Sequence, residues 1–84
     1  MPKLSVIIPV YNECSTILKV IDKIKKADTC GLSLQIVIVD DFSTDGTRNI
    51  LKKINDRSIK KIYHSINRGK GAAIRTGIKN STGV

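Results

Sequence analysis

Polar, aromatic and glycine residues stand directly after three apolar runs of this sequence. Tyr11 and Glu13 follow the first run, Asp40 and Asp41 follow the second, and a glycine-rich stretch, 67–71, follows the third. An aromatic ring can stack on a base, and a carboxylate can accept hydrogen bonds from a ring N–H or from ribose hydroxyls. A glycine turn can hold phosphate with its backbone N–H groups. Brought together, residues of these types would suit a nucleotide.

The apolar runs predict strands that bring these residues together. Residues 4–9, 34–39 and 59–63 are short and rich in β-branched side chains, whereas apolar positions at helical spacing mark residues 17–24, 50–54 and 72–79. The resulting order, β-α-β-α-β-α, is typical of an α/β fold with a parallel sheet and helical crossovers. Ligands of such sheets bind at the carboxyl ends of the strands, where the polar residues stand.

The same patterns predict how the elements pack. We expect the first two strands to be buried on both faces and the third to be less buried. In the third helix we expect Ile74, Gly77 and Ile78 to share one face. Three strands leave two open sheet edges, so we interpret residues 1–84 as a truncated, N-terminal portion of a larger domain. We expect those edges to permit self-association.

Length and composition restrict the class of protein. With 84 residues, of which 40% are hydrophobic and 26% are charged, the composition is that of one globular domain at most. No apolar run approaches the roughly 18–20 residues of a membrane-spanning helix. Two separated cysteines, Cys14 and Cys30, predict neither a disulfide scaffold nor a zinc site. We expect a reducing, cytoplasmic setting in which both thiols are buried.

The charge is unevenly distributed along the chain. Residues 1–47 carry five basic and six acidic side chains, whereas residues 48–84 carry ten basic side chains and one acidic side chain; the total is +8. This asymmetry predicts either an anionic partner for the second half or a solvated basic face. A nucleic-acid-binding module is one alternative. Aromatic residues, however, make up 4% of the chain and stand apart, so we expect no nucleic acid partner.

Motifs of other nucleotide-binding classes do not follow the first strand. Neither the P-loop pattern GxxxxGK(S/T) nor the dinucleotide pattern GxGxxG comes after residues 4–9. A Rossmann-type or flavodoxin-like domain for another nucleotide stays an alternative on fold grounds. Single residues also have structural interpretations: Asp45 could cap the second helix and Tyr11 could close the strand end. We expect His64 to be an exposed strand-end residue without a role.

Three stretches of the sequence resemble the family-two glycosyltransferases of the GT-A fold. They are residues 4–13 (LSVIIPVYNE), 36–47 (IVIVDDFSTDGT) and 67–77 (NRGKGAAIRTG), and they span most of the chain in order. Within that family the sequence is most similar to the dolichol- or polyprenol-phosphate mannosyl- and glucosyltransferases. One residue departs from the pattern, because Phe42 stands where glycine is usual. We expect it to disfavour a positive φ there.

The resemblance implies a hexosyltransferase that uses a UDP- or GDP-sugar and inverts the configuration of the sugar. It implies a polyprenyl or dolichyl phosphate, or a growing glycan, as the acceptor. By their positions in the three stretches, it implies nucleotide-binding roles for Pro9, Tyr11, Glu13, Val39, Asp40, Asp41, Ser43, Asp45, Gly69, Lys70 and Arg75. Among these, Asp41 would read the base.

The resemblance also implies a metal-binding motif that residues 1–84 do not supply. Family members hold Mg²⁺ or Mn²⁺ with an acid-x-acid motif after a fourth strand, and residues 1–84 contain neither that motif nor a catalytic residue. Asp40 and Asp41 are adjacent rather than separated by one residue, so we do not assign them to a metal. We expect no turnover by the 84 residues alone. We expect the complete enzyme to act in the cytoplasm, at the cytoplasmic face of a membrane.

Overall fold

Strands and helices alternate along the chain, as the apolar runs predict. The computed structural model describes residues 3–81. Its elements are β1 (Lys3–Val10), α1 (Ile17–Lys26), β2 (Ser33–Asp40), α2 (Thr47–Lys52), β3 (Ile59–Tyr63) and α3 (Lys70–Asn80). The predicted α/β class and the order of the elements are confirmed. None of the helices in that range has the length and apolar character that a membrane span requires.

The three strands form one parallel sheet in the order β1-β2-β3. Val10 at the end of β1 is level with Asp40 at the end of β2, and Asp40 is level with Tyr63 at the end of β3. The carboxyl ends of all three strands therefore meet at one rim of the sheet. Residues that follow the strands are brought together at that rim.

β2 is the central strand, and its apolar run forms the core on both faces of the sheet. Ile36 and Ile38 pack on one face with side chains of α1 and α2, whereas Val37 and Val39 pack on the other face with Ala73 of α3. The four β2 side chains are completely buried. An apolar run without polar alternation is what a strand covered on both faces requires.

β1 does not share this burial, and the expectation that it is buried on both faces is wrong. Its residues 4–9 are half-buried, because β1 is an outer strand whose second edge is unpaired within residues 3–81. β3 is the other outer strand and is also half-buried over much of its length, so it is less buried than β2, as expected, but not less buried than β1. Self-association through these edges stays a prediction.

α3 packs on the sheet through small residues rather than through its isoleucines. Ala73 and Gly77 are among its buried positions, whereas Ile74 and Ile78 are exposed. Of the three residues expected to share one face, Gly77 is buried against the sheet and the two isoleucines are exposed. The physical reason is the close approach of the helix to β1, since a Cβ atom at Gly77 would lie 2.4 Å from Cγ2 of Ile7.

Replacing Gly77 with alanine should destabilise the fold. At an open helical position this change would stabilise the chain by up to about 1 kcal/mol. Here the added methyl group overlaps Ile7, and we expect a net loss of about 1–3 kcal/mol in the free energy of unfolding. Urea unfolding followed by circular dichroism measures the change.

Gly71→Ala is the matched control for this substitution. Gly71 lies in the first turn of the same helix, where a Cβ atom would meet only the end of the Arg75 side chain, at 3.5 Å. We expect the control to be neutral or slightly stabilising. A Gly77→Ala variant as stable as Gly71→Ala would show that the helix does not depend on close packing against β1.

Candidate functional site

A cleft of about 360 Å³ opens at the rim where β1 and β2 end. One wall is the loop between β1 and α1, the other is the first turn of α3, and Asp41 also borders the space. The residues that line the cleft are Pro9, Val10, Tyr11, Glu13, Asp41, Asn67, Gly69, Lys70 and Ala73. Six of the residues predicted from the sequence are therefore brought together here. Val10, Asn67 and Ala73 border the cleft in addition.

The β1–α1 loop is held in place by the segment that follows β2. The backbone N–H of Asn12 donates to the hydroxyl of Ser43 at 2.9 Å, and the N–H of Glu13 donates to the hydroxyl of Thr47 at 3.0 Å. These bonds fix the backbone at the two residues that follow Tyr11. Tyr11 is 48% exposed, so its ring is accessible to a ligand in the cleft.

Asp45 organises the start of α2 and does not border the cleft. Its carboxylate accepts hydrogen bonds from the N–H of Thr47 at 3.0 Å, from the N–H of Cys14 at 3.2 Å and from the Thr47 hydroxyl. The bond from that hydroxyl is the main reason why the pKa of Asp45 lies well below its ordinary value. The N-cap of α2 is Gly46, so the interpretation of Asp45 as the helix cap is wrong, and Asp45 instead holds the first N–H of the helix from the residue before the cap.

Within residues 3–81, three loop residues other than glycine adopt a left-handed backbone. They are Asn12, Cys30 and Phe42, with φ angles of +53°, +54° and +66°. The expectation that Phe42 disfavours a positive φ is wrong. Its ring lies 5.5 Å from the guanidinium of Arg48, a cation–π contact that offsets part of the strain. Cys14 is half-buried and Cys30 is exposed, so the expectation of two buried thiols is wrong as well.

Asp40 is completely buried and is neutralised by Arg48. The guanidinium Nε donates to Oδ2 of Asp40 at 2.6 Å, and the N–H of Ser43 donates to the same oxygen at 3.1 Å. Arg48 also donates to the backbone carbonyl of His64 and lies 5.4 Å from the centre of the Tyr63 ring. Asp40 and Ser43 thus hold the rim together, and neither borders the cleft.

Asp41 connects three segments of the chain through one buried carboxylate. Oδ1 is 2.8 Å from Nδ1 of His64 and 2.8 Å from the backbone N of Arg68, and Oδ2 accepts from the N–H of Gly69 at 2.8 Å. The side chain is 5% exposed. Burial raises the pKa of Asp41, but the hydrogen bonds from Arg68, His64 and Gly69 outweigh burial, so the pKa lies below its ordinary value.

His64 is the residue that sequence reasoning missed. It is buried rather than exposed, and Nε2 lies 2.9 Å from the hydroxyl of Thr76 on α3. The expectation that it is an exposed strand-end residue is therefore wrong. Its position directly after β3, at the same rim as Asp41, was the available signal. Because His64 is the single histidine of the sequence, no spacing between histidines could add to the evidence from its position.

The first turn of α3 presents positive groups to the cleft. Gly69 precedes the helix with φ +91° and ψ +161°, a conformation that is essentially restricted to glycine. No acidic side chain lies in the first turn, so its N–H groups and Lys70 are positive groups, while the Asp41 carboxylate accepts from the N–H of Gly69 just before the turn. Two further predicted residues do not border the cleft, because Val39 is buried in the core and Arg75 is exposed elsewhere on α3.

Asp40 and Asp41 do not fit a divalent metal site. Asp40 is paired with Arg48, and Asp41 already accepts three hydrogen bonds. Across residues 3–81, no three His, Cys, Asp or Glu side chains are grouped so that they could hold a metal ion. We therefore derive no metal-dependent step from this part of the chain.

Replacing Asp41 with asparagine should lower the free energy of unfolding and make it less dependent on pH in the acidic range. Asparagine offers one acceptor oxygen and would place an amide against a backbone N–H, which we expect to cost about 2 kcal/mol. Because the folded-state pKa of Asp41 lies below the ordinary 3.8, its ionised form adds stability above pH 3.8. That stability is lost as pH falls through the folded-state pKa.

Urea unfolding between pH 7 and pH 2 measures both effects, and the variant should lose less stability on acidification. Asp22→Asn is the control, since Asp22 is an exposed residue of α1 paired only with Lys26. Equal acid dependence in the Asp41→Asn variant and the unmodified chain would show that the carboxylate does not support the fold.

The comparisons with known proteins agree in one family. The family model described as glycosyl transferase family 2 matches residues 5–84. A dolichyl-phosphate beta-glucosyltransferase of Saccharomyces cerevisiae is 42% identical, over 95% of this chain and 27% of its own length. A dolichol-phosphate mannosyltransferase of Pyrococcus furiosus is 34% identical, over 96% of this chain and 23% of its own length.

A solved structure also resembles the fold. The mannosyltransferase PcManGT from Pyrobaculum calidifontis, in complex with GDP-Man and Mn²⁺, matches with a TM-score of 0.76 and 31% identity. The match covers 96% of this chain and 25% of that one. The chain spans 18% to 28% of the length of the curated relatives that it matches.

These comparisons do not favour a nucleic-acid-binding module or an unrelated Rossmann-like domain. The structural match supports the GT-A type of α/β fold. The family model covers nearly every residue, including all three stretches that carry the resemblance except Leu4. The chain belongs to glycosyl transferase family 2.

Proposed function

We propose that this chain binds the nucleotide of a UDP- or GDP-sugar in the cleft, as the nucleotide-binding part of a glycosyltransferase. The observation that carries the proposal is the composition of the cleft. An exposed aromatic ring, a buried ionised carboxylate and the positive end of a helix border one space of about 360 Å³. A base, a ribose and a diphosphate each find a suitable partner among these groups.

The base and ribose would lie against the β1–α1 loop. The exposed ring of Tyr11 offers a stacking surface, with Pro9 beside it at the end of β1. Asp41 would accept a hydrogen bond from a ring N–H of the base, and Glu13 would accept from ribose hydroxyls. Ser43 and Asp45 would act indirectly, since they hold the loops that present Tyr11 and Glu13.

The diphosphate would lie at the start of α3. Its N–H groups and the Lys70 ammonium are the positive groups that border the cleft, and an anion at a helix N-terminus is stabilised by both. Arg75 is exposed on the same helix and would add to the positive field. Val39 and Asp40 would support the rim from inside the core.

Membership of the family supports a proposal for the activity of the whole protein. We propose transfer of a hexose, with inversion, to a polyprenyl or dolichyl phosphate or to a growing glycan. A lipid-linked acceptor would place the reaction at a membrane, on its cytoplasmic face. A Mg²⁺ or Mn²⁺ ion, bound by residues outside the described part, would supply charge stabilisation for the leaving diphosphate. Residues 3–81 would bind and orient the nucleotide-sugar donor.

Titrating UDP and GDP into the ¹⁵N-labelled chain tests the proposal. We expect amide shifts at Tyr11, Asp41 and Lys70. Lys70→Ala should weaken binding about threefold to tenfold, because one charge-assisted contact to the diphosphate is removed. This weakening should shrink as salt is raised.

Lys79→Ala is the matched control, because Lys79 lies in the last turn of the same helix. It removes the same charge from the end of α3 that is remote from the cleft, and we expect unchanged affinity. If a folded sample showed no amide shift at millimolar nucleotide, the cleft would not be a nucleotide site. Equal weakening by both substitutions would mean that only net charge matters.

A further inference from the structure

The carboxylate of Asp41 has one acceptor position left for a ligand. A carboxylate offers about four such positions, two on each oxygen. On Oδ1 both are used, by Nδ1 of His64 and by the N–H of Arg68. On Oδ2 one is used, by the N–H of Gly69. The remaining position is therefore on Oδ2, and Asp41 borders the cleft.

His64 keeps its position on Oδ1 filled. Asp41 is ionised and can only accept, so the proton of that bond resides on Nδ1 of His64. The other ring nitrogen faces the hydroxyl of Thr76, which can donate to a neutral ring or accept from a protonated one. The ring is 6% exposed and bonded at both ends, so it cannot turn away from Asp41 without losing both bonds.

We propose that His64 is a specificity-determining residue. By occupying Oδ1, it leaves Asp41 able to accept only one hydrogen bond from a base, which favours uracil over guanine in the cleft. The inference rests on the proposed function and specifies its sugar donor as a uridine diphosphate sugar. His64 acts through Asp41 and need not touch the base.

The two bases differ in the donors that they present. Uracil has a single imino N–H between two carbonyl groups, and one acceptor satisfies it. Guanine presents its ring N–H and its exocyclic amino group side by side, which matches a carboxylate with both oxygens free. Since Oδ1 is full, the second guanine donor finds no acceptor on Asp41. A buried donor without a partner costs about a factor of ten or more in affinity.

The comparisons do not decide this choice. The solved relative contains GDP-Man, which argues for guanine by analogy, whereas the hydrogen bonds of Asp41 argue for uracil. The two arguments predict opposite orders of affinity, so one measurement separates them.

The experiment compares UDP with GDP, which share ribose and diphosphate and differ only in the base. Dissociation constants come from NMR titration of the ¹⁵N-labelled chain. We expect UDP to bind about tenfold more tightly than GDP. If GDP binds equally or more tightly, this inference is overturned while nucleotide binding stands. If neither binds to the folded chain, the proposed function itself fails.

Two substitutions test the role of His64 in that ratio. His64→Leu removes the donor to Oδ1, frees the second acceptor and should bring the ratio of the two constants close to one. His64→Asn keeps an N–H donor at a position similar to Nδ1 and should keep most of the preference. A partly unfolded variant would raise both apparent dissociation constants by the same factor, so the ratio of the constants for UDP and GDP would not change. A His64→Leu variant that fully kept the preference would overturn the role of His64.

A measurement on the unmodified chain covers the case in which His64→Leu does not fold. The Nδ1 proton should give a slowly exchanging NMR resonance, because it is buried and hydrogen-bonded to Asp41. We expect that resonance to persist in the UDP complex. Its loss on UDP binding would show that the ligand displaces His64 from Oδ1, which contradicts the proposal.

Discussion

One buried carboxylate, that of Asp41, determines how the carboxyl rim of this sheet is assembled. It lies directly after β2 and accepts hydrogen bonds from His64 after β3 and from two amides that precede α3. A buried ionised group requires partners of this kind, since desolvation without them is costly. The requirement is met only when β3 and the start of α3 are in place. Asp41 therefore links the sheet to the helix that completes the cleft.

Around this link, neighbouring polar groups fix the remaining loops. Arg48 neutralises Asp40 and reaches the backbone of His64, so the ends of β2 and β3 are joined a second time. Hydroxyls of Ser43 and Thr47 hold the β1–α1 loop through its amides. Buried backbone groups of loops need such partners. The rim is thus pre-formed by the protein's own contacts, and a ligand would meet groups that are already oriented.

Much of this arrangement can be predicted from the sequence, because it follows from local patterns. The continuous apolar run of β2 predicts a strand that is buried on both faces. The alternation of apolar runs with amphipathic helical segments predicts a parallel sheet, and ligands bind at the carboxyl ends of its strands. Contacts between distant segments leave no local pattern. Burial of His64 depends on Asp41, and the exposure of Ile74 depends on how closely Gly77 approaches Ile7. The conformation of Phe42 likewise depends on Arg48, six residues further along the chain.

The two walls of the cleft come from opposite ends of the chain, residues 9–13 and 67–73, and β2 in the middle connects them. Contacts between segments so far apart require closure of a long loop, which slows folding more than local contacts do. Formation of the strands and the first two helices leaves one wall missing. Docking of α3 against β1 and Asp41 is then the step that creates the cleft. During synthesis from the amino terminus, β1, β2 and β3 would emerge before α3, so the strands would be present before the second wall of the cleft.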